Sequence, residues 1–471
     1  MPLHGQRHNR ISEKSMIYLR ETADKYIRQN LNNGSKDFKP KYHFSAQVGW
    51  INDPNGLIYY DGYFHVFYQY YPYSLQWGPM HWGHARSKNL IDFEYLPVAL
   101  APDAPFESGC FSGGAVLDKD NKKIHVLYTR NYEDDKTVRQ TQYHAYSADG
   151  VNFTKVERAA IGEELLPPGF RVSSFRDPNP VRIGDRYYVV VGAQRESKTG
   201  AVLVYSSKDM SEFEYEFAIE NENFGEMVEC PDLFMLGGRA VLTLSVIALR
   251  SDRLTNIDGK ANLYAVMDID FENKTYSFRH IDSLDEGTDF YAPQSVEDGN
   301  GRRIMLAWLD MWNNNPFPLR NKFVSNGVYT LPRELSLDGD TLLQYPLREA
   351  KEIFRTPLDV KKGCSMPKTS YAALEMEEGS VFSFGFAGEG FTLRVTDGYF
   401  FVEQKQKNHI SAVRRGKARA ETFNAEVFSD NCSVEIFVGG RDVFSAQAFI
   451  ECDRYVISQA EKLKVRRAAC I

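Results

Sequence analysis

The chain has no long hydrophobic run among its 471 residues. A membrane-spanning helix needs about 20 consecutive, mostly apolar residues, and even a run of about 18 is missing. The first ten residues are polar and basic, and no apolar signal-peptide core follows them. We therefore predict no membrane partner and no export signal.

Cysteine is scarce, and its spacing is irregular. The six residues are Cys110, Cys230, Cys364, Cys432, Cys452 and Cys470. Disulfide frameworks and zinc sites use close, regular spacings such as Cys-x-x-Cys, which this chain does not contain. We predict reduced thiols in a cytoplasmic protein. Cys470 stands second from the end, so the tail is not a prenylation signal.

Positive charge is also limited, because 56 Lys and Arg residues face 63 Asp and Glu residues, for a net charge of −7. Nucleic-acid-binding domains present a basic surface, so we predict no nucleic-acid partner. The 43% hydrophobic fraction is ample for packed cores. A chain of this length exceeds one typical core, which predicts more than one domain.

A metal-binding motif is missing as well. His81 and His84 invite a metal interpretation, but three residues apart on a strand they point to opposite faces. No nearby carboxylate has an evident role as a third ligand. We predict structural histidines, no metal and no organic cofactor, so activity should survive chelation.

A hairpin pattern recurs along the first two thirds of the chain. Asp53-Pro54-Asn55-Gly56 leads into an apolar strand, a tight Asp-Gly turn and an aromatic strand. The same order follows Asp177-Pro178 and Pro231-Asp232, and looser copies begin near Ser112 and Tyr291. Five hairpin units at a period of about 50–65 residues are typical of β-propeller blades.

Three acidic residues occupy matching places in this repeat, in Asn52-Asp53-Pro54, Arg176-Asp177-Pro178 and Glu229-Cys230-Pro231. The first strand of each propeller blade faces the central axis, so equivalent positions converge at one mouth. Taken alone, an Asp before Pro is most often a turn residue. Three such carboxylates at one mouth indicate instead a glycosidase site.

The rest of the pattern predicts an all-β chain with a short N-terminal helix. From Ser12 to Asn30 the apolar residues follow a helical period, at Met16, Leu19, Ala23, Tyr26 and Ile27. From about residue 358, short strands separated by Gly-rich turns predict an antiparallel β-sandwich. We divide the chain into a helical extension (1–36), a five-bladed β-propeller (37–340), a linker (341–357) and a β-sandwich (358–471).

The motif Trp50-Ile51-Asn52-Asp53-Pro54-Asn55-Gly56 resembles the signature of glycoside hydrolase family 32, which contains invertases, levanases and sucrose-6-phosphate hydrolases. Further blocks similar to those of the family follow in order: Phe67-Tyr68-Gln69-Tyr70, the stretch 77–85, Phe111-Ser112-Gly113-Gly114, Phe175-Arg176-Asp177-Pro178, Glu229-Cys230-Pro231-Asp232, Tyr291-Ala292-Pro293 and Leu331-Pro332-Arg333. The resemblance implies a five-bladed propeller followed by a β-sandwich, which agrees with the repeat count.

The resemblance also implies roles for the acidic residues. Asp53 would be the nucleophile, Glu229 the general acid/base and Asp177 a transition-state stabiliser. The nucleophile must stay ionised, helped by neighbouring amides or Arg176, whereas the acid needs a raised pKa. Retention through a fructosyl-enzyme would place the reacting carboxyls about 5–5.5 Å apart, against about 6.5–9.5 Å for inversion. Residues that match substrate-binding positions are Asn52, Gln69, Trp77, Phe111, Ser112, Arg176, Tyr291 and Trp312.

The implied function is hydrolysis of terminal non-reducing β-D-fructofuranosides: sucrose, sucrose 6-phosphate or short fructo-oligosaccharides. A fructosyltransferase would use the same three carboxylates, and a silent fructan-binding protein or an arabinan-active relative are further alternatives. The partner is a small saccharide, and the protein is a monomer or a homodimer. Phosphate recognition would need a cation near the site, for which His43, Arg320 and Lys322 are candidates.

Overall fold

The computed structural model describes residues 18–118, 121–251, 253–312 and 315–471, and strands dominate it. The α-helices of these residues are short: α1 (Arg20–Asn30), α2 (Phe317–Arg320) and α3 (Arg348–Glu352). Helix α1 agrees with the expected N-terminal helix, while the predicted part before Tyr18 lies outside the described residues. In the portion of the chain described here, no helix has the length and apolar character needed to cross a membrane.

Five blades of four antiparallel strands each follow one another along the chain, and one short parallel strand is added to the sheet of blade one. Blade one contains β1 (Gly49–Tyr60), β2 (Tyr63–Tyr71), β3 (His81–Ser87) and β4 (Phe93–Leu100). Blade two contains β5 (Gly109–Asp118), β6 (Lys123–Glu133), β7 (Val138–Ser147) and β8 (Thr154–Lys155). Blade three contains β9 (Phe170–Ile183), β10 (Arg186–Arg195), β11 (Gly200–Ser207) and β12 (Glu214–Glu220).

Blade four contains β13 (Met227–Leu236), β14 (Arg239–Ile247), β15 (Ala261–Asp270) and β16 (Thr275–Ser283). The next five strands are β17 (Tyr291–Glu297), β18 (Arg303–Trp308), β19 (Ser325–Asn326), β20 (Arg333–Asp338) and β21 (Thr341–Pro346). Blade five has the order β17-β18-β20-β21, and β19 instead pairs in parallel with β1. Strand β21, which falls in the predicted linker, therefore completes the fifth blade; the domain boundaries stay predictions.

The first strands of the blades form a closed ring, since β1, β5, β9, β13 and β17 contact one another in that order and β17 contacts β1 again. The five-bladed propeller is confirmed. Its hydrophobic cores lie between neighbouring blades; Val190 and Val204 of blade three, for example, pack in one cluster with Leu242 and Leu244 of blade four. Each such fully buried side chain stabilises the fold by about 1.5–3 kcal/mol.

The C-terminal strands hydrogen-bond into one ten-stranded, barrel-like sheet. They are β22 (Thr356–Pro357), β23 (Ser365–Pro367), β24 (Ser370–Phe386), β25 (Glu389–Thr396), β26 (Tyr399–Lys405), β27 (Ala412–Arg419), β28 (Thr422–Asp430), β29 (Ser433–Val438), β30 (Asp442–Gln447) and β31 (Arg454–Cys470). The first half of β24 pairs with β28 and its second half with β25. Between the halves, Gly379 has a φ of 80°, so this one strand turns the sheet and joins its two parts.

Candidate active site

Irregularities in the inner strands lie where the predicted site residues stand. The register of each inner strand shifts against its neighbour, between Ile51 and Pro54, Phe111 and Gly113, Arg176 and Asn179, Glu229 and Asp232, and Tyr291 and Gln294. A β-bulge re-aims side chains that would otherwise alternate across the sheet. The bulges therefore present one acidic or polar residue from each blade near the axis.

Three of these bulges hold a non-glycine residue in the left-handed region. The φ angles are 65° for Asp177, 46° for Cys230 and 53° for Ala292. Each such conformation costs an L-residue about 1–2 kcal/mol, and Asp tolerates it better than most residues. The surrounding packing holds these residues in the strained conformation, at the positions where the side chains of the site face one another.

Asp53 is buried, with 9% of its surface exposed. The Ser112 hydroxyl donates to its Oδ2 at 2.6 Å. Its Oδ1 is also buried and has no hydrogen-bond partner among the described residues. Burial raises the pKa of Asp53, while the hydrogen bond from Ser112 opposes the increase. The preceding residue, Asn52, is fixed by Trp50, whose Nε1 donates to the Asn52 side-chain oxygen at 2.9 Å.

Asp177 lies across the thiol of Cys230 from Asp53. The Cys230 sulfur is 3.6 Å from Oδ2 of Asp53 and 3.6 Å from Oδ2 of Asp177. The backbone N–H of Cys230 donates to the same Asp177 oxygen at 2.9 Å. Burial raises the pKa of Asp177 to about 7, with Arg176 opposing and the carboxylates of Glu229 and Asp53 adding to the increase. Burial also raises the pKa of Cys230, so this thiol stays protonated.

Both carboxylate oxygens of Glu229 accept hydrogen bonds. Arg176 donates to Oε1 at 2.7 and 3.1 Å, and the Tyr291 hydroxyl donates to Oε2 at 2.5 Å. Arg176 also donates to Gln140 at 3.2 Å. From the sequence, neighbouring amides or Arg176 are expected to keep Asp53 ionised. In the structure Arg176 bonds Glu229, and the Ser112 hydroxyl donates to Asp53.

Aromatic side chains surround this group. Trp77 is 46% exposed and packs edge-to-face against Phe111, with ring centroids 5.8 Å apart. Trp312 lies 6.2 Å from Trp50 between ring centroids, on the side of blade five. Gln69 is buried and donates to the backbone carbonyl of Cys110 at 3.0 Å. Gln69 thus supports the strand that carries Phe111 and Ser112.

Two supporting residues of blade two were missed by the sequence analysis. The hydroxyl of Thr129 accepts the backbone N–H of Asp177 at 2.8 Å. Gln140 accepts from Arg176 and also from the backbone N–H of Phe175, at 3.2 Å. Gln140 and Gln142 are two residues apart in β7 and therefore share a strand face. This pair of amides on one face was the signal from which the sequence could have identified Gln140.

The two histidines considered for a metal have other contacts. His81 lies with its Nδ1 2.9 Å from the carbonyl of Pro79, and His84 pairs with His65 at 3.0 Å. Within the described ranges, no cluster of three or more His, Cys, Asp or Glu side chains is arranged to hold a metal ion. These contacts support structural roles for both histidines.

Buried carboxylates gathered at the axis of a five-bladed propeller, rimmed by aromatic rings, define a class of glycoside hydrolase. Residues 43–346 match the family model for the glycosyl hydrolases family 32 N-terminal domain, which is more than half of the chain. The chain therefore belongs to glycoside hydrolase family 32.

Individual relatives agree with this assignment. A sucrose-6-phosphate hydrolase of Zymomonas mobilis is 33% identical over 451 residues, covering 86% of this chain and 85% of its own. One of Escherichia coli is 37% identical over 325 residues, covering 67% and 66%. The structure of the Bombyx mori GH32 beta-fructofuranosidase BmSUC1 matches with a TM-score of 0.84 and 32% identity, over 96% of this chain and 98% of that one. A mutant of BmSUC1 in complex with sucrose matches with a TM-score of 0.81 and 32% identity, over 96% and 97%.

Proposed function

We propose that this glycoside hydrolase releases fructose from terminal non-reducing β-D-fructofuranosides by a retaining double displacement. The contacts of Asp53 carry the proposal. Its Oδ2 is held by Ser112, and its buried Oδ1 has no partner among the described residues. A buried polar atom without a partner is rare in folded proteins and at an active site indicates a group that meets the substrate.

In the first step, the protonated Glu229 gives its proton to the glycosidic oxygen while Asp53 attacks the anomeric carbon. The bond to the leaving sugar breaks, and an ester forms between Asp53 and the fructosyl group. In the second step, Glu229 takes a proton from water, the water oxygen attacks the same carbon, and the ester bond breaks. Two inversions at one carbon retain its configuration.

The partners of Glu229 suit both steps. Arg176 and Tyr291 hold its two oxygens from blades three and five, so the carboxyl is fixed in orientation before the sugar arrives. A proton on Oε2 can point at the glycosidic oxygen while the remaining lone pair of Oε2 still accepts from the Tyr291 hydroxyl. Arg176 then stabilises the carboxylate that remains after proton transfer.

Asp177 is suited to binding sugar hydroxyl groups. With a pKa near 7 it exists in both protonation states around neutral pH, and either state accepts hydrogen bonds from hydroxyls. Its bond to the Cys230 amide fixes the carboxyl plane. We assign to it the hydroxyls of the fructosyl ring. The anomeric carbon and ring oxygen of that ring gain positive charge as the glycosidic bond breaks.

Similarity guides the choice of substrate. Relatives named sucrose-6-phosphate hydrolase align over most of this chain, and the similar BmSUC1 has been captured with sucrose. We propose sucrose and its phosphorylated form as substrates, ahead of polymeric fructans. The cytoplasmic location and the monomeric or dimeric state remain predictions.

Product analysis tests the proposed function. The protein is incubated with sucrose, and proton NMR follows the first anomer of fructose released and any oligosaccharide formed. We expect β-fructofuranose as the initial product, with free fructose accumulating as fast as glucose. Glucose without matching fructose would indicate a fructosyltransferase, and binding of fructan without any release would indicate a silent binding protein.

A further inference from the structure

The two middle strands of blade two, β6 and β7, contain buried amides that bond the strand of Arg176. Asn131 of β6 and Gln140 of β7 stand directly opposite each other, and Nε2 of Gln140 donates to the Asn131 side-chain oxygen at 3.1 Å. Both side chains are buried. Because buried polar groups are almost always hydrogen-bonded, the partners of Gln140 show what it holds in place.

One oxygen of Gln140 holds Arg176 at both ends. Its Oε1 accepts from the backbone N–H of Phe175 at 3.2 Å, which fixes the chain one residue before Arg176. The same oxygen accepts from Nη1 of Arg176 at 3.2 Å, at the far end of that side chain. The neighbouring Gln142 donates to the backbone carbonyl of Phe175 at 2.9 Å. Blade two therefore fixes both the backbone and the guanidinium of Arg176.

The strand around Arg176 is irregular, so these contacts matter for its position. Phe175 and Arg176 pair with Ala193 and Gly192 of β10, and the register shifts on both sides of this short stretch. Asp177, the next residue, has a φ of 65°. A bulge disrupts the hydrogen-bond ladder locally, so β10 alone constrains this stretch less than it would constrain a regular strand. The bonds from blade two supply the additional constraint.

The guanidinium that Gln140 holds is also the partner of Glu229. Nε and Nη2 of Arg176 donate to Oε1 of Glu229 at 3.1 and 2.7 Å, while Nη1 donates to Gln140. A guanidinium is planar and rigid, so a bond at Nη1 also sets the direction of the other two nitrogens. Gln140 is a neutral acceptor, and it therefore orients Arg176 without competing with Glu229 for the positive charge.

We propose that Gln140 is a positioning residue for acid catalysis, because through Arg176 it holds the Glu229 carboxyl in line with the glycosidic oxygen. This inference rests on the proposed function. It gives blade two a part in the proton transfer, although Gln140 reaches Glu229 only through Arg176. Proton transfer depends on geometry, and a displacement of about 1 Å in a site can lower the rate about 100-fold.

Leaving-group dependence tests this role. The glucose of sucrose leaves only with a proton on its oxygen, whereas fluoride leaves β-D-fructofuranosyl fluoride without one. We compare kcat/KM for the two substrates in the wild type and in Gln140→Leu, since this constant reports the step in which the leaving group departs. The variant should lower kcat/KM for sucrose by about 10–100-fold and for the fluoride by less than about threefold. Loss of a purely structural residue would lower both alike.

Two further variants separate positioning from damage to the fold. Asn131→Ala keeps Gln140 but removes the bond that steadies it, so the same selective loss should appear at about 3–10-fold, even if Gln140→Leu does not fold. Gln344→Leu is the matched control. Gln344 is a buried glutamine that accepts from Arg333 at 2.9 Å, and this arginine bonds carboxylates at the junction with the C-terminal sheet. Gln344→Leu should leave the ratio of the two constants within about twofold of the wild type.

The outcomes distinguish this inference from the proposed function. An equal loss on both substrates, or an unchanged ratio in Gln140→Leu and Asn131→Ala, would overturn the role of Gln140 and leave the proposed function intact. A folded wild type that releases fructose from neither substrate would overturn the proposed function and this inference with it.

Discussion

At the residue scale, the proposed site departs from what stability alone would favour. Asp177 combines a buried carboxyl with a φ of 65°, and each of these features is unfavourable by itself. Such local conflicts are expected where a side chain serves function. Asp177 therefore provides a direct way to measure what the site costs the fold.

Replacing Asp177 with Asn should abolish activity and stabilise the protein. The folded-state pKa of about 7 lies above the ordinary value of 3.8, so ionisation destabilises the fold progressively as pH rises between the two values. Asn keeps the shape, tolerates the left-handed backbone and does not ionise. The gain in free energy of unfolding should reach a few kcal/mol by pH 8 and be smaller at pH 5. Thermal unfolding at both pH values measures it.

Asp149 supplies the matched control. Burial disfavours its charge, but hydrogen bonds from Asn152, Val151 and Ser147 together outweigh this effect and lower its pKa. Asp149→Asn should therefore destabilise the protein at pH 8 without affecting turnover. If Asp177→Asn were as destabilising as the control, or retained activity, the assignment of a raised pKa and a substrate contact to Asp177 would be wrong.

The site residues that lie in short motifs could be predicted from the sequence. Asp53, Asp177 and Glu229 begin equivalent hairpins, and the closed ring of inner strands brings those strands together. Partners that come from other blades left no such local signal. Arg176 follows Phe175 in blade three, yet it bonds Glu229 of blade four and Gln140 of blade two, which depends on how the blades pack.

At the element scale, blades one and two each contain a pair of hydrogen-bonded histidines. His65 and His84 bond at 3.0 Å across β2 and β3, and His125 and His144 bond at 2.8 Å across β6 and β7. Burial lowers the pKa of His65 and of His144 to about 4. These blades therefore contain neutral imidazoles, and protonation of these rings in acid destabilises the folded state.

Replacing His144 with Gln should make the protein less sensitive to acid. An unfolded His binds a proton below about pH 6.5, whereas folded His144 binds one only near pH 4, so its contribution to stability is lost as pH falls through this window. Gln can still hydrogen-bond His125 but does not titrate. The drop in melting temperature between pH 7.5 and pH 4.5 should be smaller in the variant. An unchanged or larger drop would contradict the neutral pair.

The blade hairpins could be predicted because their turns are local. Asp-Gly and Gly-Gly dipeptides accept a positive φ, as at Asp61 and Gly62, and fix the hairpin wherever it lies in the fold. Strand β19 has two residues, and it forms because it pairs with β1 of the neighbouring blade one. The bend in β24 likewise depends on partners at both ends, so neither feature could be predicted from sequence alone.

At the scale of the whole molecule, a buried charge cluster joins the propeller to the C-terminal sheet. Arg333 of blade five lies 2.9 Å from Asp285 and 3.0 Å from Glu435. His43, which precedes blade one, lies 2.9 Å from both Asp430 and Glu435. All these side chains are buried. Since each carboxylate has a cationic partner, loss of one partner leaves a buried charge uncompensated, which typically costs about 3–5 kcal/mol.

His43 should make the joined molecule sensitive to alkali. Burial disfavours its charge, but hydrogen bonds to Asp430 and Glu435 outweigh this and raise its pKa to about 9. The stabilisation is complete below pH 6.5 and is lost as pH rises through about 9. His43→Gln should lower the melting temperature strongly at pH 7, and the gap to the wild type should narrow by pH 10.

An exposed histidine is the control for this experiment. His280 has 39% of its side chain exposed and lies 3.8 Å from Asp282, so His280→Gln should change the melting temperature little at any pH. A gap for His43→Gln that stays constant from pH 7 to pH 10 would show that His43 acts through packing instead of charge.

The proposed mechanism depends most on Glu229 as the acid/base of a fructosidase. The most direct measurement is the initial rate of fructose release from sucrose by the wild type and by Glu229→Gln, with circular dichroism to confirm that both are folded. The Gln oxygen can still accept from Arg176, and its amide N–H can donate to the Tyr291 hydroxyl oxygen, but Gln cannot transfer a proton. Turnover should therefore fall by about 10²–10⁴-fold. Equal turnover in the variant, or a folded wild type that releases no fructose, would contradict the account.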